Sequence, residues 1–290
     1  MGKHAYLIIA HGDWSMLSKL LRTLDDSRND IYLHVDIKAE FHPESLYQPI
    51  WAKLITIPRM NVTWGGDSQV KCEMALLKAA AEGHYAYYHL LSGADLPLRS
   101  QNEIHRFFDS QYGRNFIKID ARAVENGSAE ARVRRYLFFQ NQTGRKEGVW
   151  VELLQTIERI SLYIQRKLGV DRLKNCPKKI YKGSNWFSIT DAMVQVVLSE
   201  ENFIRKYCYY GISVDEVFLQ TVAMNSPLRD TVADEYLRHI DWERGCPYVF
   251  RSDDYEELIA STDLFARKFS DDVDPNITAR IVNEVTNFET

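Results

Sequence analysis

The segment Phe265-Ala266-Arg267-Lys268-Phe269 sets two adjacent cations between apolar residues, in a chain of 290 residues whose net charge is -4. Cations buried beside aromatic rings without a partner cost about several kcal/mol, so a clamp at this place calls for an anion. Earlier in the chain, Asp215-Glu216 opens an apolar-periodic run through Phe218, Leu219, Val222 and Ala223. That spacing predicts carboxylates at a helix start, where the positive end of the helix favours the ionised form. A carboxylate serves as a base for a hydroxyl. An Arg fork beside a Lys point charge serves as the counter-charge for a departing phosphate, in place of a divalent metal. Together they point to group transfer from a nucleotide-activated donor.

Both features have plainer readings. Ser213-x-x-Glu216 is also a capping-box pattern, with Pro227 as the stop of the helix that follows. Capping and base catalysis compete for the same oxygens. Arg267 and Lys268 can equally be a surface pair with Phe265 and Phe269 turned to the core.

The elements that must hold these groups alternate. Tyr6–Ala10, Ile31–Val35, Leu54–Ile57, Tyr85–Leu91 and Phe116–Ile119 read as strands. Trp14–Leu24, Val70–Ala81 and Gln101–Asp109 read as helices. This rhythm predicts an α/β fold, a mostly parallel central sheet flanked by helices. Ligands of such sheets bind beyond the carboxyl ends of strands, where His11-Gly12, His34-Val35-Asp36 and Ser92-Gly93-Ala94-Asp95 all stand. Further on, Asn185–Ile189 reads as a strand and Asp191–Leu198 as a helix. Val149–Leu168 has Trp150, Leu153, Leu154, Ile157, Ile160, Ile164 and Leu168 at helical spacing. With charges of both signs among them, it reads as a core or capping helix rather than one lying on a membrane. A single domain is expected over 1–290, with a nucleotide-binding half to about residue 120 and an acceptor and catalytic half from about 121.

Composition removes several classes. No apolar run reaches the eighteen or so residues of a membrane span. Cys72, Cys176, Cys208 and Cys246 are dispersed and form no CxxC pair, which fits reduced thiols better than a disulfide framework or zinc site. With net acidity, nucleic-acid binding would need a local basic stripe. Arg132, Arg134, Arg135, Arg145, Lys146, Lys174, Lys178, Lys179 and Lys182 offer one, or equally a set of solvated faces. Ile9-Ala10-His11-Gly12-Asp13 stands where a dinucleotide-binding GxGxxG would follow the first strand, and no Walker loop occurs. No DxD-type triplet ends a central strand, so metal-bridged nucleotide binding lacks a candidate.

Among the remaining candidates, Asp36 reads as a partner for a ribose or base, or as a turn aspartate. Ser92-Gly93-Ala94-Asp95 is a strand-end turn whose glycine allows a ligand close to the backbone. Trp64-Gly65-Gly66 sets a flat ring on a flexible turn. His11 and His34 have no spacing that makes a ligand triad.

Taken in order, these pieces resemble the family of peptide O-xylosyltransferases and core-2/I-branching β-1,6-N-acetylglucosaminyltransferases. Trp64-Gly65-Gly66-Asp67-Ser68 is similar to the WGGAS of the xylosyltransferases, and Leu91-Ser92-Gly93-Ala94-Asp95-Leu96-Pro97-Leu98-Arg99-Ser100 to their LSxxDYPxRT. Gly183-Ser184-Asn185-Trp186-Phe187 resembles GSDWF, with asparagine in place of aspartate, and Phe265 to Phe269 matches FARKF. Leu237-Arg238 through Trp242 resembles an LRxxxW segment, and Glu216 falls where the family places its catalytic glutamate. The likeness runs from about Tyr6 to Phe269.

The resemblance implies a GT-A-type nucleotide-sugar-binding fold and inverting, metal-independent transfer from a UDP-sugar, with N-acetylglucosamine or xylose as leading donors. It implies Glu216 as general base and Arg267 with Lys268 on the diphosphate. His11, Gly12 and Asp36 would line the uridine pocket, with Trp64, Ser92, Asp95, Gly183, Ser184 and Asn185 around nucleotide and sugar. Trp186 would shape the donor-sugar pocket, Trp242 would pack on the acceptor, and Arg251 would be a second phosphate contact. Asp215, Arg132 and Arg135 are neighbourhood candidates for the acceptor, a glycan or glycolipid-linked hydroxyl. No cofactor and no nucleic-acid partner are expected. A bacterial-type, cytoplasmic protein is expected, with possible peripheral association at the inner face of the membrane. The rival expectation is a non-catalytic nucleotide-sugar-binding or scaffold protein on the same fold.

Overall fold

The computed structural model describes residues 2–286. Among the described residues ten strands form two sheets: β1 (His4–Ala10), β2 (Asn29–Val35), β3 (Lys53–Thr56), β4 (Tyr87–Ser92), β5 (Asp95–Pro97), β6 (Asn115–Ile119), β7 (Gly183–Thr190), β8 (Val232–Ala233), β9 (Arg238–Ile240) and β10 (Phe265–Arg267). The main sheet has seven strands in the order β3-β2-β1-β4-β7-β6-β8. Its pairings are parallel except where β7 runs antiparallel between β4 and β6. A second sheet orders β5-β10-β9. The expected α/β architecture with a mostly parallel sheet is therefore present, consistent with a GT-A-type arrangement.

The pleat explains how one sheet carries two cores. Along β1, Ala5 and Leu7 join an apolar layer with Val70, Leu76 and Leu77 of the Asp67–Ala81 helix. Tyr6 and Ile8 point to the opposite layer, which holds Leu17 and Leu20 of the Trp14–Thr23 helix and Ile281 of the Pro275–Thr286 helix. Both faces of β1 are covered, so its sequence is nearly all apolar rather than alternating. Arg238 ties the small sheet to the large one. It is fully buried and donates to Leu90 O (3.1 Å), Phe187 O (2.9 Å) and Ser188 Oγ (3.0 Å), so β4 and β7 share one guanidinium.

Because β7 is antiparallel to both neighbours, its first residues lie at the carboxyl ends of β4 and β6. Ile119 pairs with Gly183, and Asp120 N donates to Lys182 O at 2.7 Å. One edge of the main sheet thus collects His11, Asp36, Ser92, Asp120 and Lys182 through Ser184. Gly183 is required there: a Cβ at this position would lie 1.7 Å from Lys118 O.

Two local expectations change. The segment before Phe218 is not the first turn of one continuous helix. It is a separate 3-10 turn, Val214–Glu216, followed by a helix over Phe218–Met224. The Val149–Lys167 helix forms as its periodicity predicts, but it is not a core helix. Its buried residues are the polar Glu158 and Gln165, whereas Trp150, Leu153, Ile157, Ile160 and Ile164 are exposed. Glu158 accepts from Phe139 N (2.7 Å), and Gln165 accepts from Tyr136 N and donates to Tyr136 O (both 2.9 Å). The neighbouring 136–139 segment has unpaired backbone groups to satisfy, and only polar side chains can do that, so they take the inward face.

Candidate active site

The glutamate comes first. Ser213 sits in the left-handed region (φ 45°) and makes no side-chain capping bond. N-cap residues are typically extended, which turns the side-chain oxygen onto the first turn. The contrast lies within the same chain: Ser100-x-x-Glu103 has the same pattern, has an extended Ser100 (φ -60°, ψ 158°) and forms the full capping box. Ser213 instead gives its backbone N–H to Gly65 O (2.8 Å), which fastens this turn to Trp64-Gly65-Gly66. Glu216 is thereby left free of the cap. Its Oε2 faces Lys182 Nζ at 3.2 Å and Arg132 at 3.4 Å, and its side chain is 34% exposed. Lys182 also lies 3.7 Å from Asp120.

Asp215 turns the other way. It is buried and accepts from Gln69 Nε2 (3.0 Å), so it cannot meet an acceptor as expected. Burial, and then the adjacent Glu216 charge, push its carboxyl up to about 7. Glu73 is buried behind it, pushed well above the ordinary range by burial and by Asp215.

The cations behave differently from each other. Arg267 is not unpaired. It donates to Ser92 Oγ (2.8 Å) and to Asp95 Oδ1 (3.0 Å), and its guanidinium lies 4.4 Å over the Trp186 ring. Asp95 is fully buried and also accepts from Ser92 N (2.9 Å) and Ser92 Oγ (2.7 Å), so the strand-end turn is a cradle for this arginine. Lys268 follows in the chain and has no ion pair among the described residues. Its backbone is held between Tyr248 O and Phe250 N (3.3 and 2.9 Å), which brings the backbone of Arg251 close behind it.

His11 follows β1 at the same edge. Desolvation, and then the Lys268 charge, push that imidazole below the usual histidine range. Gly12 has open space where a side chain would project. Asp36 is buried at the end of β2 and accepts from Lys38 Nζ (2.5 Å) and Lys38 N (2.9 Å). Burial pushes its carboxyl up, but these Lys38 contacts hold it below the usual carboxylate range. His34 is a core residue, its Nε2 accepting from Met60 N at 2.9 Å.

Strand β7 joins the two ends. Trp186 carries Arg267, Ser184 O accepts from Gln220 of the Phe218–Met224 helix, and Lys182, just before the strand, meets Glu216. Four residues of strand separate those contacts, roughly 13 Å at the usual rise. That span suits a sugar diphosphate between a carboxylate and cations. Asn185 sits between them, half-buried.

Other expected residues are less closely tied to this edge. Arg135 is half-buried, and its Nε has no hydrogen-bond partner among the described residues. Trp242 and Arg251 are exposed. Trp64 is exposed with Arg145 stacked 3.8 Å over its ring. Sequence reasoning missed Lys182 as a site residue; its place directly before Gly183-Ser184-Asn185-Trp186 was the available signal. It also missed Gln69, which bridges Gly65 N and Asp215 and carries no such signal. The suggested basic stripe is partly consumed internally: Arg132 and Lys182 on Glu216, Arg134 on Asp171 and Glu130, and Lys178 on Glu200.

A parallel-sheet α/β chain with a carboxylate and cations on one strand edge has the layout of a nucleotide-sugar transferase. The family model described as Core-2/I-Branching enzyme matches residues 4–261, and the chain belongs to that glycosyltransferase family. Among curated relatives, Xylosyltransferase 2 of Homo sapiens is 23% identical over 317 residues, covering 94% of this chain and 32% of its own length. Xylosyltransferase 1 of Homo sapiens is 24% identical over 308 residues, covering 96% of this chain and 30% of its own length. Xylosyltransferase 2 of Rattus norvegicus matches at 23% with the same coverage as its human counterpart. The chain spans about a third of the length of these relatives.

Proposed function

We propose that this chain catalyses inverting, metal-independent transfer of a sugar from a UDP-sugar to a hydroxyl of a glycan or glycolipid-linked acceptor. N-acetylglucosamine and xylose are the leading donors. The acceptor O–H proton passes to Glu216 as the oxygen attacks the anomeric carbon. The bond from that carbon to the diphosphate oxygen breaks on the opposite face, and its electron pair leaves with UDP. Lys268, with Arg267 set beside it on the Asp95 cradle, balances the charge that develops on the diphosphate. His11, Gly12 and Asp36 lie on the uridine side, and Trp186 walls the donor sugar. Arg132 and Lys182 orient the base and border the acceptor.

The observation that carries this reading is the freedom of Glu216. Its carboxylate faces cations at the sheet edge instead of capping the helix, as a scaffold role would require. Glu216→Gln is expected to lower kcat by about 10²–10⁴-fold, the range of a lost general base, while UDP affinity stays within about threefold. Isothermal titration with UDP and a turnover assay decide it. Equal loss of binding and turnover contradicts the base role.

A further inference from the structure

The Val149–Lys167 helix presents its apolar stripe to the outside. Trp150, Leu153, Ile157, Ile160, Ile164 and Leu168 lie within one third of its circumference, with Trp150 78%, Ile160 54% and Leu168 74% exposed. A stripe five turns long is more than the scattered apolar residues of an ordinary surface. The helix is anchored the wrong way round for a core element, since Glu158 and Gln165 bond its inward face to the 136–139 segment. Something apolar must lie against the outward face.

Charge selects the occupant. Residues 145–174 carry seven Lys or Arg and four Asp or Glu, in a chain whose net charge is -4. Two of those acids are already engaged: Glu158 takes the Phe139 N–H and Asp171 pairs with Arg134. Lys146, Arg159, Arg166, Lys167 and Lys174 have no ion pair among the described residues. On the helix, Lys167 borders one side of the stripe with its ammonium 5.6 Å from the Tyr163 ring centroid, and Arg159 and Arg166 lie farther round on that side. An apolar stripe bordered by aromatic residues and unpaired cations matches the boundary of an anionic lipid surface, which takes side chains between its acyl chains and neutralises the rim.

We infer that the Val149–Lys167 helix is an interfacial anchor that lies on an anionic phospholipid bilayer. The helix does not cross it: among the described residues no helix is long and apolar enough to span a membrane. This inference stands on the helix alone and does not require the sugar-transfer reading.

The test is co-sedimentation of the whole chain with vesicles of phosphatidylglycerol and phosphatidylethanolamine, against vesicles of phosphatidylcholine. Binding to the anionic vesicles is expected to exceed that to the neutral ones by about tenfold and to weaken with added salt. Ile157→Glu with Ile160→Glu should reduce binding at least about tenfold. Arg159→Gln with Arg166→Gln and Lys167→Gln should remove the preference for anionic lipid while leaving a weaker, salt-insensitive remainder. Each variant is checked for an unchanged melting temperature, since all these side chains project outward. Wild-type binding no stronger than to phosphatidylcholine overturns the inference, as does full binding by the double glutamate variant. Sedimentation equilibrium showing a dimer that the double variant breaks, without vesicle binding, overturns it in favour of a second copy on this face.

Discussion

At the scale of single residues, groups that look alike in the sequence have different surroundings in the fold. Asp215 and Glu216 are neighbours with opposite surroundings, and pH should tell them apart. With a pKa of about 7, folded Asp215 keeps a proton that the unfolded chain, near 4, has already released. Its contribution is neutral at low pH, becomes increasingly destabilising from about pH 4 to 7, and is constant above. Asp215→Asn keeps an acceptor for Gln69 and cannot ionise. The stability gap of variant over wild type should therefore grow by about 3 kcal/mol between pH 5 and pH 8. Denaturant melts at both pH values check this, and a flat gap contradicts it. Arg267 and Lys268 should separate too. Lys268→Ala is expected to weaken UDP binding about tenfold or more with little change in melting temperature. Arg267→Ala should weaken binding and also cost about 3–5 kcal/mol of stability, because Asp95 is left buried without its partner. Sequence alone gave both cations the same standing, since a partner 172 residues away is invisible in a pentapeptide.

At the scale of elements, what was legible followed from local pattern. Strand β1 and the Trp14–Thr23 helix reveal themselves through apolar period, because both bury their apolar residues. Period gives spacing but not direction. The Val149–Lys167 helix has the same spacing as a core helix and faces the other way. What distinguishes it is Glu158 and Gln165, two polar residues seven apart on one stripe, which the neighbouring backbone needs. The Ser-x-x-Glu pattern was ambiguous for a related reason. Ser213 is left-handed, gives its N–H to Gly65 O and leaves the turn uncapped, a tertiary contact that the local pattern does not announce. Gly183 shows the reverse case, where the residue type is dictated by one close approach. Gly183→Ala should destabilise the chain by about 1–3 kcal/mol or more and lower soluble yield, since Lys118 O must move to admit the Cβ. Thermal melting measures it, and an unchanged midpoint would show that β6 and β7 can part without loss.

At the scale of the whole molecule, the sheet order explains why residues far apart in the chain meet. The antiparallel insertion of β7 turns its beginning toward the carboxyl ends of β4 and β6. The residues after β1, β2 and β4 then share an edge with Lys182, Trp186 and the Glu216 turn. The second sheet delivers Arg267 to that edge through the pairing of β10 with β5, Arg267 opposite Asp95. Topology, not motif, makes the site. One donor molecule is expected to lie along this edge, and a crystal structure of the chain with UDP decides it. The diphosphate is expected within hydrogen-bonding distance of Lys268, the uridine beside His11 and Asp36, and the distal phosphate opening toward Trp186 and Glu216. UDP seated elsewhere, or with its diphosphate turned away from Lys268 and Glu216, would contradict it.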